Sequence, residues 1–311
     1  ILLGMLPPFH SFGFSITGIM SLLAGLRIFY FPDPTDGAKM AALVKEWDIS
    51  VICGAPTFLK GIFKAGDAET FKKLRICGTG AEKAPPELFA LVDQIGKEGV
   101  LVEGYGITEC APILTFNTPG QPTIGVGKPV TGVELMIVHP ESYDPLKQGE
   151  SGLLLAKGPN IFAGYINPDV LSPFVKINHD KWYKTGDLGH IDEEGNFIIS
   201  GRQKRFIKVG GEMVSLSAIE DALLKAASKK GWPIAEEGPT LAICAKEKPG
   251  EKPKITLFGK FSTTADEVNT VLRESGFTNL VKVTETKQLD IIPVMGTGKI
   301  NYRELESKHM S

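Results

Sequence analysis

Apolar and polar positions change period several times along the 311 residues. The most apolar stretch, FGFSITGIMSLLAGLRIFYF, reads as a buried helix followed by a strand. Its uncharged part is short for a membrane span, and Arg27 interrupts it. AALVKEWD puts Leu43, Val44 and Trp47 on one helical face. ISVICGAP is a β-branched run stopped by Gly-Ala-Pro, and LRICGTG is a short apolar strand closing on glycines. PPELFALVDQIGKEG is a helix with Pro at its start and Gly at its end. VLVEGYG is a further strand running into glycine. Strand, loop and helix in this repeating order over residues 1–125 predict a parallel α/β sheet. Such sheets bind ligands at the carboxyl ends of their strands. Both Gly78-Thr79-Gly80 and Gly104-Tyr105-Gly106 fall at predicted strand ends.

Over residues 126–203 the pattern changes to short strands, VELMIV, GLLLAKG and NFIISG, separated by Gly, Pro and Asn turns. This predicts a small β-barrel-like subdomain. Residues 204–311 read as a small, mobile α+β domain, with the boundary at the charged step Gln203-Lys204-Arg205. SLSAIEDALLKAA is expected to start with a capping box from Ser217 to Glu220, and TADEVNTVLRESG repeats that logic from Thr264 to Glu267, ending on Gly276. The strands TLAICAK and ITLFGKF lie between these helices. The expected fold class is therefore α/β, with a smaller β-rich subdomain and a C-terminal α+β domain.

Composition narrows the function classes. A formal net charge of −2 gives no electrostatic reason to expect nucleic acid. The basic run from Arg202 to Lys208 is local and reads as a solvated face. Cys53, Cys77, Cys110 and Cys244 form no C-x-x-C pair and read as reduced core thiols of a cytoplasmic protein. There is no signal-peptide pattern, and a start at Ile1 in mid-pattern predicts a piece of a longer chain.

The candidate chemistry sits on glycine-rich turns. GTGKI at 296–300 is not a P-loop, since Pro293 and Ile300 stand where that pattern needs Gly and Ser or Thr. In EGYGITECAP, Tyr105 offers a flat face for a base, Thr108 can donate to a phosphate oxygen, and Glu109 is a hard ligand suited to Mg²⁺. In YKTGDLG, Asp187 is placed on a tight turn, where a carboxylate can accept both hydroxyls of a ribose. Arg202 can reach ribose or phosphate, and Lys299 can neutralise charge developing at a phosphate. Taken singly, each of these also reads as a plain turn or loop residue.

Taken together and in this order, the motifs resemble the acyl-adenylate-forming ligases: acyl-CoA synthetases, firefly luciferase and peptide-synthetase adenylation domains. PPFHSFGF is similar to the segment lining the acyl pocket, with His10 near its mouth. GTGAEK, with Gly80, Ala81 and Glu82, is similar to the loop along adenine, and GYGITE to the adenine, phosphate and magnesium motif from Gly104 to Glu109. YKTGDLG and GRQKRFIKVGGE resemble the ribose and hinge motifs, and GTGKI the terminal catalytic lysine motif.

The resemblance implies ATP and Mg²⁺ as cofactors, Lys204 as hinge, Lys299 in adenylation, and Lys208 with Gly210 and Gly211 near the thiol acceptor. EGYGITECAP, GAEK and KRFIKVGGEMVSL look most like the acyl-ACP synthetase half of bacterial 2-acylglycerophosphoethanolamine acyltransferases. That implies a long-chain fatty acid, acyl carrier protein or CoA as acceptor, and a linked lysophospholipid acyltransferase domain at the inner face of the membrane. Amino-acid activation fits less well, because the apolar segment supplies no anionic partner for a substrate ammonium. The family's Ser/Thr/Gly-rich phosphate loop should precede PPFHSFG and is not among these residues. A non-catalytic nucleotide- or acyl-binding fragment is therefore an alternative reading of the 311 residues, fitted by the missing loop and opposed by the intact Glu109, Asp187, Arg202 and Lys299.

Overall fold

A computed structural model describes residues 1–209, 212–235, 238–247, 252–295 and 299–310. The chain divides into two compact units, Ile1–Ile199 and Ser200–Ser311.

In the first unit a seven-stranded sheet runs in the order β2-β1-β3-β4-β5-β6-β7. Its members are β1 Leu2–Gly4, β2 Ile28–Tyr30, β3 Val51–Gly54, β4 Ile76–Thr79, β5 Leu101–Gly106, β6 Ile113–Phe116 and β7 Lys128–Pro129. The first five are parallel; β6 and β7 add antiparallel pairings. The hydrophobic runs that mark β3, β4 and β5 in the sequence pack under α3 Gly37–Glu46, α4 Pro56–Ala65 and α5 Pro86–Gln94. Leu3, Met40, Ile52, Phe63, Phe71 and Leu88 belong to one continuous core. In α3, Leu43 and Val44 are buried as expected, while Trp47 caps the helix at the surface and packs on Phe29 with ring centroids 5.1 Å apart.

The apolar stretch after β1 departs from expectation. It is helical, as α1 Ser11–Gly13, a π-helical stretch Phe14–Met20 and α2 Ser21–Leu23, but it is not buried. Leu22 and Leu23 are 77% and 84% exposed. Only Gly13, Ile16, Thr17 and Ser21 face inward, so apolar composition overstated burial here.

The β-rich subdomain is a five-stranded sheet. It comprises β8 Glu134–Val138, β9 Gly152–Lys157, β10 Phe174–Ile177, β11 Asp180–Ile191 and β12 Phe197–Arg202, with β11 pairing β9, β10 and β12.

The second unit takes in the end of β12, then a one-turn helix Gln203–Arg205 and the hairpin of β13 Phe206–Val209 and β14 Glu212–Ser215. Helix α6 Leu216–Lys230 follows, then a sheet of β15 Leu241–Lys246, β16 Lys254–Gly259 and β17 Val283–Gln288, with α7 Ala265–Glu274 and α8 Tyr302–His309. The expected box at α7 is present, with Thr264 and Glu267 capping reciprocally. The expected box at α6 is not. Ser215, not Ser217, accepts the Ala218 N–H, and Glu220 is turned into the unit's interior. Among the described residues no helix is long and apolar enough to cross a membrane.

Candidate active site

The carboxyl ends of three parallel strands carry the first unit's candidate residues, except Asp187. The loop after β5 is shaped by a close backbone approach. A Cβ on Gly106 would lie 2.0 Å from the Pro112 carbonyl oxygen, so only glycine lets the chain double back here. The turn Thr108–Cys110 follows. The Thr108 hydroxyl is 3.1 Å from the Ser11 hydroxyl, 97 residues away in the chain. His10, just before it, accepts the Phe12 N–H through Nδ1 at 3.2 Å and caps α1. The HSFG segment after β1 and the ITE segment after β5 are thereby brought together.

Glu109 is held from the β-rich side. Tyr165 donates its hydroxyl to Oε1 at 2.7 Å, and the Phe162 N–H donates to the Glu109 carbonyl at 2.9 Å. Asn160 donates to the carbonyls of Cys110 and Ile113, both at 2.8 Å. Tyr165 escaped the sequence reading, since a lone tyrosine in a turn-rich loop carries no pattern.

The loop after β4 contains Gly80, Ala81 and Glu82. Ala81 adopts φ 71°, a left-handed conformation that a residue with a Cβ rarely takes outside functional loops. The buried Glu103 of β5 anchors this loop by accepting the Ala84 N–H at 2.9 Å. Burial pushes the Glu103 carboxyl above the usual range, partly offset by that bond and by Lys83. Glu103 lay inside the quoted motif without a role, because its partner is reached only through the sheet.

Asp187 is not on a tight turn, as expected from YKTGDLG. It lies within β11, where pairing with β9 shifts register between Lys184 and Leu188. Gly186 at φ 78° makes that bulge possible, and the bulge re-aims the next side chain. Asp187 is 3% exposed. Its N–H donates to Thr185 Oγ1 at 3.0 Å, and Tyr105 donates its hydroxyl to Oδ2 at 2.5 Å. Burial first, then the Asp187 charge, keeps the Tyr105 hydroxyl protonated far above its ordinary range. The Tyr105 ring lies against Phe197, with centroids 5.5 Å apart. Cys110, in the turn after β5, has its thiol pushed up to about 12 by burial and then by the charges of Glu109 and Asp187.

Among the described residues no three His, Cys, Asp or Glu side chains cluster as a metal cage. One carboxylate beside hydroxyl donors instead suits Mg²⁺, which keeps several waters and shares its coordination with phosphates.

In the second unit Arg202 closes β12, and Lys204 is exposed on the turn Gln203–Arg205. Lys208 is exposed on β13, and its N–H donates to Glu247 Oε1 at 3.2 Å. Lys299 is half-buried, and its carbonyl accepts the Met295 N–H at 2.8 Å. Gly210 and Gly211 lie outside the described residues. The basic run is not uniformly solvated, for the Arg205 side chain is only 13% exposed and ion-paired to Glu220 at 2.7 Å.

Residues 1–166 match the family described as AMP-binding enzyme. The chain is 28% identical over 232 residues to the long-chain-fatty-acid–CoA ligase of Bacillus subtilis strain 168, covering 71% of this chain and 40% of that protein. It is 26% identical over 321 residues to 4-coumarate-CoA ligase 2 of Narcissus pseudonarcissus, covering 99% and 54% respectively. The structure superimposes on ATP-bound MatB from Rhodopseudomonas palustris with a TM-score of 0.80 at 23% identity, over 98% of this chain and 59% of that one. It also superimposes on the AMP complex of O-succinylbenzoate coenzyme A synthetase from Bacillus subtilis, with a TM-score of 0.78 at 22% identity, over 98% and 60%. The chain spans about half the length of the curated relatives it matches. With more than half of its residues matched by the family and the fold shared along nearly its whole length, the chain belongs to the AMP-binding enzyme family.

Proposed function

We propose that the full-length protein is an adenylate-forming acid–thiol ligase. The observation that carries this reading is the Tyr105–Asp187 bond, which joins the GYGITE and YKTGDLG motifs at the carboxyl end of β5, together with the Ser11–Thr108 contact. In the first step a carboxylate oxygen attacks the α-phosphorus of ATP, and the bond to pyrophosphate breaks. In the second a thiol sulfur attacks the acyl carbonyl, the bond to AMP breaks, and the thiol proton is lost.

Asp187 accepts the ribose hydroxyls, and Arg202 is assigned to ribose or phosphate. Gly80, Ala81, Glu82, Gly104, Tyr105 and Gly106 form the adenine side. Thr108 donates to phosphate, and Glu109 holds Mg²⁺, which when bound offsets phosphate charge. Lys299 neutralises charge where the carboxylate meets the α-phosphate. Lys204 is the hinge that exchanges Lys299 for the loop of Lys208, Gly210 and Gly211 between the two steps. The C-terminal domain then starts at residue 204.

The substrate class we favour is a long-chain fatty acid entering past His10. The acceptor is acyl carrier protein, and the product feeds lysophospholipid reacylation by a linked acyltransferase domain. This rests on the likeness of GAEK and KRFIKVGGEMVSL to that subfamily. CoA is the second reading for the acceptor, favoured because the relatives above are named CoA ligases.

The test is acid-dependent ATP–pyrophosphate exchange by the full-length protein, with long-chain, short-chain and amino acids, followed by transfer to acyl carrier protein or CoA. Exchange with long-chain acids is expected. It should fall by about 10²-fold or more in Lys299→Ala, with a much smaller effect on ATP affinity. No exchange with any acid overturns the proposal.

A further inference from the structure

The ion pair between Arg205 and Glu220 reaches further than its two residues. Arg205 Nη2 donates to Glu220 Oε1 at 2.7 Å, and Nη1 donates to the Ile243 carbonyl at 2.6 Å. The guanidinium lies over the Tyr302 ring, 3.8 Å from its centroid. Tyr302 in turn donates its hydroxyl to both Glu220 oxygens, at 3.2 and 3.1 Å, and the Ile243 N–H donates to Oε1 at 2.7 Å. Four elements meet here: the turn Gln203–Arg205, α6, β15 and the first residue of α8.

Stability alone does not account for this arrangement. Burial pushes the Glu220 carboxyl upward, against the pull of Arg205 and its hydrogen bonds. The Arg205 Nε–H is buried with no acceptor among the described residues. A buried ion pair with an unsatisfied donor is a poor source of folding energy, and its best-attested use is to fix register. What it fixes here is specific. Arg205 directly follows Lys204, and Tyr302 follows Lys299 by three positions. The backbone between is tied down as well. The Asn301 N–H donates to the Pro293 carbonyl at 2.8 Å, Val294 bridges Ile300, and Ile300 and Tyr302 pack on the core of Ala242, Phe258 and Leu305.

We propose that Arg205, Glu220 and Tyr302 form a positioning lock, which holds the segment bearing Lys299 in fixed register with the hinge turn. This rests on the roles proposed above for Lys204 and Lys299. A rotation at Lys204 then carries Lys299 as part of a rigid body, so its placement does not depend on the loop alone. None of the three is among the residues assigned above to substrate or nucleotide. Their effect is on geometry, where a misplacement of about 1 Å costs on the order of 10²-fold in rate.

The experiment compares Tyr302→Phe, Arg205→Lys and Glu220→Gln with Lys299→Ala in the full-length protein. Pyrophosphate exchange reports the first half-reaction, and thioester formation from chemically supplied acyl-adenylate reports the second. Tyr302→Phe is the mild variant, since the ring and its contact with Arg205 remain. The expected result is a fall of about 10- to 100-fold in the maximal exchange rate, with the KM for ATP within about twofold. Thioester formation stays within about threefold, and thermal melts show the variants folded. Equal losses in both half-reactions, or unchanged exchange in Tyr302→Phe and Arg205→Lys while Lys299→Ala is inactive, overturn the lock. Normal exchange in Lys299→Ala fails the functional reading itself, and the lock with it.

Discussion

Replacing Tyr105 with Phe isolates one hydrogen bond at the centre of the site. The ring stays, and with it the packing on Phe197, so only the hydroxyl that donates to Asp187 is removed. The acceptor is a carboxylate that is nearly inaccessible to solvent, and water cannot readily replace the lost donor. Hydrogen bonds to charged groups are worth about 1.5–3 kcal/mol. For a unit of this size, each kcal/mol moves the melting temperature by about 2–4 °C, so a drop of about 3–12 °C is expected. The same carboxylate is the proposed ribose acceptor. If its orientation loses even about 1.4 kcal/mol, the Kd for AMP rises about tenfold. Thermal melting and calorimetric titration with AMP measure the two effects independently. A melting temperature within about 1 °C of the parent, with an AMP Kd within about twofold, would refute the reasoning. Asp187 would then be held by its own bulge, and Tyr105 would serve only as packing.

Three other outcomes are expected. Lys204→Pro removes the torsional freedom of the hinge and should leave pyrophosphate exchange intact while blocking thioester formation; normal rates in both steps would sink the hinge assignment. Gly106→Ala forces a Cβ onto the Pro112 carbonyl, a backbone atom that cannot rotate away, and should cost about 1–3 kcal/mol or more in a urea titration. Glu103→Gln tests the buried carboxyl by pH. Its folded pKa is raised above the ordinary 4.5, so the stability linked to its proton is complete below that value and is lost as pH rises through the raised one. The variant should flatten this part of the profile of melting temperature against pH, and parallel profiles would exclude Glu103 as its source.

Strands β3, β4 and β5 were readable because each is a short apolar run that ends on or beside a glycine. The edge strand β17, VTETKQ, was not readable. It pairs only with β16, and Val283 is its one buried residue, so no alternation marks it. The start of α6 turned on tertiary structure. Ser215 and Ser217 are both capable caps, but Ser215 pairs with Phe206 at the end of β14, which fixes where the strand stops. Glu220, the residue the expected box required, is drawn to Arg205 instead. Arg205 was misread as solvated for the same reason. Its partner Ile243 lies 38 residues on, and a local charge pattern contains no trace of it.

Three carboxylates are oriented by tyrosines far from them in the chain. Tyr105 donates to Asp187 across 82 residues, Tyr165 to Glu109 across 56, and Tyr302 to Glu220 across 82. A phenol is well suited to this work. Its ring packs as an apolar body while its hydroxyl serves as a donor, so one side chain supplies both packing and direction. Each of the three hydroxyls has its pKa raised, by burial at Tyr105 and Tyr302 and first by the Glu109 hydrogen bond at Tyr165. A phenol is already protonated across the range in which a histidine would switch, and these shifts extend that range upward. Carboxylates oriented by such donors keep their hydrogen-bond partners while solution pH changes around them, which suits the two-step reaction proposed above.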